Sequence, residues 1–171
     1  MKSILINSFW VMTLLLSCGP KKNKTDTLTI SGITYRDVSA VPGSQDLDDW
    51  TSDAVWPDFI SSKFNFVDTI DYSTGGDTST LTLLGYPNPA NTAITLNCQS
   101  SNATILKYIV VDQSVTVYSK DTYQIYPGYN SIQLSLSNTM YPANRLYRVY
   151  YAFYDKNKHC YFKGHGDIKK I

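Results

Sequence analysis

Glutamate is missing from this 171-residue chain, in which all 14 acidic residues are aspartate. Aspartate favours turns and helix caps whereas glutamate favours helix interiors, so the acidic residues give no support to long helices. The 14 tyrosines, with abundant threonine, serine, valine and isoleucine, favour strands instead. The composition therefore predicts a mostly β protein. The absence of glutamate also removes the commonest carboxylic acid of glycosidase-like sites, although aspartate can serve there.

An excess of charge is lacking as well, since 15 lysine and arginine residues stand against 14 aspartates. Nucleic-acid-binding proteins usually carry a basic excess, so this balance gives no support to a nucleic-acid partner. The sequence also has no Gly-x-Ser-x-Gly turn, no glycine-rich phosphate loop and only two histidines. We therefore expect a protein without enzymatic activity and without a cofactor.

A long apolar run is found only near the N-terminus, between Ile4 and Leu16. It is too short to cross a membrane comfortably, because a spanning helix needs about 20 apolar residues. Lys2 precedes the run and small residues follow it, which is the layout of a secretory signal peptide. Residues 1–17 are therefore predicted to be removed on export.

The residues Leu15-Leu16-Ser17-Cys18 resemble the bacterial lipobox, in which a leucine stands three positions before a lipidated cysteine. The resemblance implies cleavage before Cys18, a diacylglyceryl group on its thiol and acylation of the new N-terminus. Each buried methylene of such chains adds about 0.8 kcal/mol of membrane affinity. Gly19 stands where inner-membrane retention favours aspartate, so we expect an anchor in the outer membrane, in either leaflet. The polar residues 18–27 would form a flexible tether.

The folded part is predicted to comprise an N-terminal extension, 28–84, and a β-sandwich domain, 85–171. In the extension, the residue patterns predict strands at 27–36, 64–72 and 79–84. The spacing of apolar residues between 46 and 62 predicts a short helix or a single turn, which Ser52 can cap and Pro57 limits.

In the C-terminal part, patterns predict strands at 92–98, 103–111, 115–126, 131–136, 146–154 and 159–163, the third bent near Lys120. Residues 131–136 alternate between apolar and polar, which indicates one buried side. Residues 146–154 are apolar or aromatic on both sides and should form an inner strand. Gly164-His165-Gly166-Asp167 is predicted to be a flexible turn in which Asp167 accepts backbone hydrogen bonds. Short strands at this spacing are typical of a β-sandwich.

The segment Tyr86-Pro87-Asn88-Pro89-Ala90-Asn91 resembles the opening of the C-terminal sorting domains of the Bacteroidetes type IX secretion system. The likeness covers residues 84–171 and includes Ile94-Thr95-Leu96, the stretch 130–137, Leu146-Tyr147 and the basic end 168–171. It implies a seven-stranded immunoglobulin-like sandwich and a source in that bacterial lineage. Two turn glycines of the family are missing here, where Asp112-Gln113-Ser114-Val115 and Asn144-Arg145 stand instead.

An acidic and aromatic segment contains the candidate ligand contacts Asp48, Asp49, Trp50 and Trp56. The tryptophans can stack on sugar rings while the aspartates accept hydroxyl groups, or both rings can pack onto the sandwich while the aspartates face water. A calcium loop is disfavoured because the EF-hand spacing, its glycine and its closing glutamate are absent. We expect Trp56 to be buried and Trp50 to be at least partly covered.

Cys98 and Cys160 are an even pair in an exported protein, so they form either a disulfide or two buried free thiols on separate strands. His159, His165 and Asp167 are metal-capable and close to Cys160. Adjacent residues of a strand point to opposite faces, however, so His159 and Cys160 cannot share a site and no metal is expected.

These features predict a lipid-anchored envelope protein with a non-enzymatic binding or structural role, whose partner is an envelope protein or a glycan. The alternatives are a secretion-targeting domain recognised by export machinery and, less favoured, a glycan-binding surface lipoprotein.

Overall fold

The structure is a computed structural model that describes residues 26–72 and 81–171. The predicted signal peptide, Cys18 and most of the predicted tether lie outside these residues. Within the two described ranges, no helix is long and apolar enough to span a membrane.

The described chain forms eight strands, one short α-helix and one 3₁₀ turn. In chain order these elements are β1 Thr51–Ser52, α1 Asp58–Ser61, the 3₁₀ turn Ser62–Phe64, β2 Thr82–Tyr86, β3 Ala93–Ser100, β4 Thr104–Val111, β5 Val117–Ile125, β6 Gly128–Ser135, β7 Arg145–Tyr154 and β8 Cys160–Lys170. They build two antiparallel sheets, one ordered β1-β8-β7-β4-β5 and the other β2-β3-β6. The expectation of an all-β protein is confirmed.

One core cluster takes side chains from both sheets. Leu96 of β3, Leu106 of β4 and Tyr151 of β7 are fully buried members of it. On β6, Ile132 and Leu134 are buried while the polar residues between them are exposed, which confirms the alternation predicted for 131–136. The inner faces of the two sheets therefore cover each other.

A second core cluster covers the opposite face of the five-stranded sheet. Trp56 and Phe64 of the N-terminal extension pack there with Ile109 of β4 and Tyr150 of β7. Both strands are thus buried on two faces, which explains their nearly continuous apolar sequences. The prediction of an inner strand at 146–154 is confirmed, because β7 lies between β8 and β4.

The short helix predicted in the extension is α1, which follows Pro57 at its N-cap and continues directly into the 3₁₀ turn. Ser52 is not its cap, because Ser52 belongs to β1 and pairs with Gly164 of β8. The predicted strands 27–36 and 64–72 are wrong, since these segments form isolated bridges only. Single apolar residues of these segments, such as Ile30 and Ile70, are buried, but the segments do not pair with a neighbouring strand.

Two details of the later strands also differ from expectation. β5 keeps a regular register with β4 past Lys120, so the predicted bend there is wrong, and the irregularity falls between Val110 and Val111. β8 continues well beyond Lys163, through the segment predicted to be a flexible turn. The predicted strands 146–154 and 159–163 leave four residues between them, whereas five residues, 155–159, connect β7 to β8.

Candidate functional site

Trp50 lies between the two sheets in a slot made by two glycines. A Cβ added to Gly166 of β8 or to Gly85 of β2 would overlap its ring. The ring also stacks on Tyr151, with centroids 6.3 Å apart and planes inclined by 15°. Trp50 is partly buried against the first core cluster, so the expectation that it is at least partly covered is confirmed.

The same glycines explain why the segment Gly164-His165-Gly166-Asp167 is a strand and not a turn. A side chain at Gly164 would overlap the carbonyl oxygen of Thr51. Thr51 belongs to β1, which pairs with the edge of β8 at this point. Because these glycines have no side chain, Thr51 can lie close to Gly164 and the Trp50 ring close to Gly166. The backbone of this segment remains paired with β7. The predicted flexibility is therefore wrong.

Trp56 is buried, with 4% of its surface exposed, as expected. Its ring contacts Phe64 at a centroid distance of 4.7 Å and Tyr150 at 5.4 Å. Its Nε1–H donates to Asp53 Oδ2 at 2.7 Å, so the ring's one polar group is satisfied. Because Trp56 belongs to the second cluster and Trp50 to the gap between the sheets, the two rings do not form a common surface for a sugar.

Asp48 and Asp49 are adjacent but lie in opposite environments. The Asp48 side chain is exposed, whereas Asp49 is buried and accepts hydrogen bonds from the backbone N–H groups of Thr34, at 2.6 Å, and of Asp167. Burial raises the pKa of Asp49 to about 6. The expectation that the aspartates face water holds for Asp48 and is wrong for Asp49, which joins the extension to β8.

The prediction that the Asp167 carboxylate accepts backbone hydrogen bonds is wrong. Arg148 of β7 donates to both of its oxygens, from Nε at 2.6 Å and from Nη2 at 2.7 Å. Such a two-point contact matches the planar guanidinium to the carboxylate and fixes both side chains. The pair therefore ties β7 to β8 across the register Arg148–Asp167.

His165 is the one imidazole that the fold buries within the described ranges. Its Nδ1 lies 2.8 Å from Asp53 Oδ1, while its Nε2 is buried without a hydrogen bond and lies 3.9 Å from Asp48 Oδ2. A carboxylate at one ring nitrogen fixes the imidazole as in catalytic dyads. Here, however, the other nitrogen is closed to solvent. Among the described residues, no group of three or more metal-capable side chains is placed to hold a metal ion.

Cys98 and Cys160 are both free and buried. Cys98 belongs to the core cluster between the sheets, and Cys160 belongs to the cluster on the far face of the five-stranded sheet. A whole sheet therefore separates the thiols, and the disulfide alternative is wrong. Burial raises the pKa of Cys98 to about 12 and that of Cys160 to about 11, which disfavours the reactive thiolate.

Lys107 of β4 is a buried cation that the sequence analysis missed. Its Nζ donates to the carbonyl oxygens of Phe64, at 2.7 Å, and Asp68, and lies 4.4 Å from the centre of the Phe66 ring. Burial lowers the pKa of Lys107 to about 8. The available signal was a single lysine inside the apolar run 104–111, where a charge needs a partner.

The outer face of the three-stranded sheet is a second feature that the sequence patterns did not predict. Every outward-pointing side chain on it is uncharged, and we call this set the uncharged face: Thr82, Leu84, Tyr86, Ala93, Thr95, Asn97, Gln99, Tyr129, Ser131, Gln133 and Ser135. Its members lie far apart in the sequence. Only the strand register brings them together.

Comparison with known proteins finds no protein-family model that matches the chain and no curated protein with a significant match. The likeness to type IX sorting domains is carried by the motifs quoted above and stays a prediction. Function is therefore inferred from the residues and their surroundings.

Proposed function

We propose that the protein is a lipid-anchored protein of the outer membrane with a non-enzymatic binding role. Three buried groups of types that enzymes use in catalysis connect the N-terminal extension to the five-stranded sheet: Asp49, Lys107 and His165. This engagement is the observation that carries the proposal. Groups committed to such contacts stabilise the fold and have no access to a substrate.

The anchor is supported by the lipobox residues Leu15 to Cys18 and by the polar tether that follows them. The folded part begins where Leu28 donates its N–H to the carbonyl oxygen of Gln113 at 2.8 Å. Ten residues, 18–27, then separate the proposed lipid from this first contact.

Replacement of the anchoring cysteine tests this function. Cys18→Ala should move the protein from the membrane pellet to the soluble envelope fraction, because its acyl chains are lost. Ser17→Ala keeps a small residue before the cysteine and should leave the protein in the pellet. A Cys18→Ala protein that still pellets and resists salt extraction would refute the lipid anchor.

We also infer that the two sheets form an immunoglobulin-like sandwich. The orders β2-β3-β6 and β5-β4-β7-β8 correspond to the seven strands of that fold, with the fourth strand placed in the second sheet. Near the start of β7, Tyr147 Oη donates to the carbonyl oxygen of Pro142 at 3.1 Å. A tyrosine at this corner that bonds to backbone a few residues upstream is a recurrent feature of such domains.

Secretion targeting is the second candidate, favoured by the resemblance of residues 84–171 to sorting domains. The packing argues against it, because Trp56 and Phe64 cover the face of β4 and β7 that this segment alone would expose. Residues 84–171 and 26–171 should be fused separately to a periplasmic reporter in a type IX-competent host. We expect neither to bring the reporter to the surface, and export by both would make targeting the preferred function.

A further inference from the structure

We propose that the uncharged face binds a neutral polysaccharide. This inference rests on the proposed binding role and names its ligand class. The face belongs to a chain with 29 charged residues, 15 basic and 14 acidic, yet presents none of them. An extended surface without charge matches a partner without charge.

The strand register arranges the side chains in rows across the sheet. The rows are Thr82–Gln99–Tyr129, Leu84–Asn97–Ser131, Tyr86–Thr95–Gln133 and Ala93–Ser135. Neighbouring strands lie about 4.8 Å apart and successive outward residues about 7 Å apart, which gives an area of about 10 Å by about 20 Å. An extended chain of several sugar rings fits on such an area.

Hydroxyl and amide groups dominate these rows, and both can donate as well as accept hydrogen bonds. Sugar hydroxyls have the same double character, so the two surfaces can satisfy each other. Asn97 already accepts from Ser131 Oγ at 3.2 Å through its side-chain oxygen, which leaves its NH₂ group to donate outward. Within the described ranges, the side chains of Gln99 and Gln133 make no hydrogen bond and are exposed to solvent.

Tyr129 supplies an aromatic ring at one corner of the face, with 79% of its surface exposed. Tyr86 supplies a second, partly buried ring two rows away. The apolar face of a sugar ring stacks on an aromatic ring while its hydroxyls remain free for polar contacts. The combination of two tyrosines with amides and hydroxyls therefore favours a carbohydrate over other neutral polymers.

Other occupants match the face less well. An acidic polymer or a charged headgroup finds no opposite charge there. A second copy of the chain, or another protein, would find only Leu84 and Ala93 as aliphatic contacts. Stable protein interfaces have an apolar core and are depleted in serine, which Ser131 and Ser135 contribute here.

The test is binding of the detergent-solubilised full-length protein to an immobilised panel of polysaccharides. Neutral glucans, mannans, xylans and chitin are compared with acidic alginate and polygalacturonate. We expect binding to at least one neutral polymer, with an affinity that stays within about twofold from about 0.05 M to about 0.5 M NaCl, because screening weakens charge attraction only. No binding to a neutral polymer, or binding to acidic polymers alone, would overturn the proposal and leave the anchoring result unaffected.

Two variants and one matched control place the site. Tyr129→Ala and Gln133→Ala should each weaken binding about tenfold, the loss expected for one well-placed contact. Tyr126→Ala removes a ring that is 65% exposed from the β5–β6 connection, three residues before Tyr129 and outside the rows, and should leave binding unchanged. Thermal melting should be alike for all three variants. Equal losses for Tyr126→Ala and Tyr129→Ala, or a dimer in sedimentation that Tyr129→Ala dissociates, would refute the polysaccharide site.

Discussion

The two faces of the five-stranded sheet are covered in different ways. One face packs against a second sheet through aliphatic and aromatic side chains. The other is covered by irregular chain, which adds buried polar contacts from Lys107 and His165 to its aromatic packing. The second sheet is thus held on the five-stranded sheet mainly by buried apolar side chains. The irregular extension has few backbone hydrogen bonds of its own, so it is also held by specific polar contacts.

The largest expected effect comes from removing the main aromatic contact of the irregular cover. Trp56→Ala should lower the free energy of unfolding by about 3–5 kcal/mol, the usual cost of truncating a buried tryptophan. Because β4 and β7 belong to both clusters, unfolding in urea should remain a single transition followed by both fluorescence and circular dichroism.

Trp56→Phe is the control for this prediction, since it keeps an aromatic ring and loses the Nε1–H contact with Asp53. It should cost clearly less than Trp56→Ala. Two separate transitions in Trp56→Ala, with residues 26–72 becoming protease-sensitive first, would mean that the cover folds independently of the sheets.

The second effect is a pH dependence from Asp49. Its pKa of about 6 in the folded protein lies above the ordinary aspartate value of 3.8, so the folded protein holds this proton more tightly than the unfolded chain. The resulting stabilisation, about 2–3 kcal/mol, is fully present below about pH 3.8 and is lost as the pH rises through about 6.

Unfolding free energies measured from pH 3.5 to about 7 should therefore fall less steeply in Asp49→Asn than in the parent. Asp48→Asn, at the exposed neighbouring position, should follow the parent curve within about 0.5 kcal/mol. Identical curves for the parent and Asp49→Asn would show that this carboxyl does not titrate abnormally.

The third effect tests the slot that holds Trp50. Gly166→Ala places a methyl group into the indole ring and should cost about 1–3 kcal/mol by overpacking. In a Trp50→Ala background the same substitution should cost less, because the clash is gone. An unchanged cost in both backgrounds, measured by urea unfolding, would assign the effect to the backbone of β8 and not to the ring.

The sequence predicted strands well where a periodic pattern coincides with a ladder. The alternation at 131–136 and the continuous apolar run at 146–154 each report the burial of one or both strand faces. The segments 27–36 and 64–72 carry similar local patterns, but their apolar residues enter pockets singly. Local pattern cannot distinguish these cases, because pairing depends on a partner strand elsewhere in the chain.

Some features of the candidate sites could likewise be predicted from local sequence, and others could not. Burial of Trp56 could be expected from its size and from the apolar spacing around it. The environment of Asp49 could not be, because its partner N–H groups belong to residues 15 and 118 positions away. The uncharged face likewise depends on the register of three strands, and each strand alone looks like an ordinary solvent-exposed pattern.

If the proposed lipid anchor holds the protein by its N-terminus, the position of the extension has a mechanical consequence. A pull on the proposed tether would first reach Leu28, which is joined to Gln113 by one backbone hydrogen bond. The load would then pass to Arg36, which exchanges two backbone hydrogen bonds with Asn88, and next to the Asp49 contact and the two-residue strand β1. Only after these contacts would it reach the long ladder between β7 and β8. The extension would therefore peel away one contact at a time and absorb the strain, while the paired sheets keep their shape.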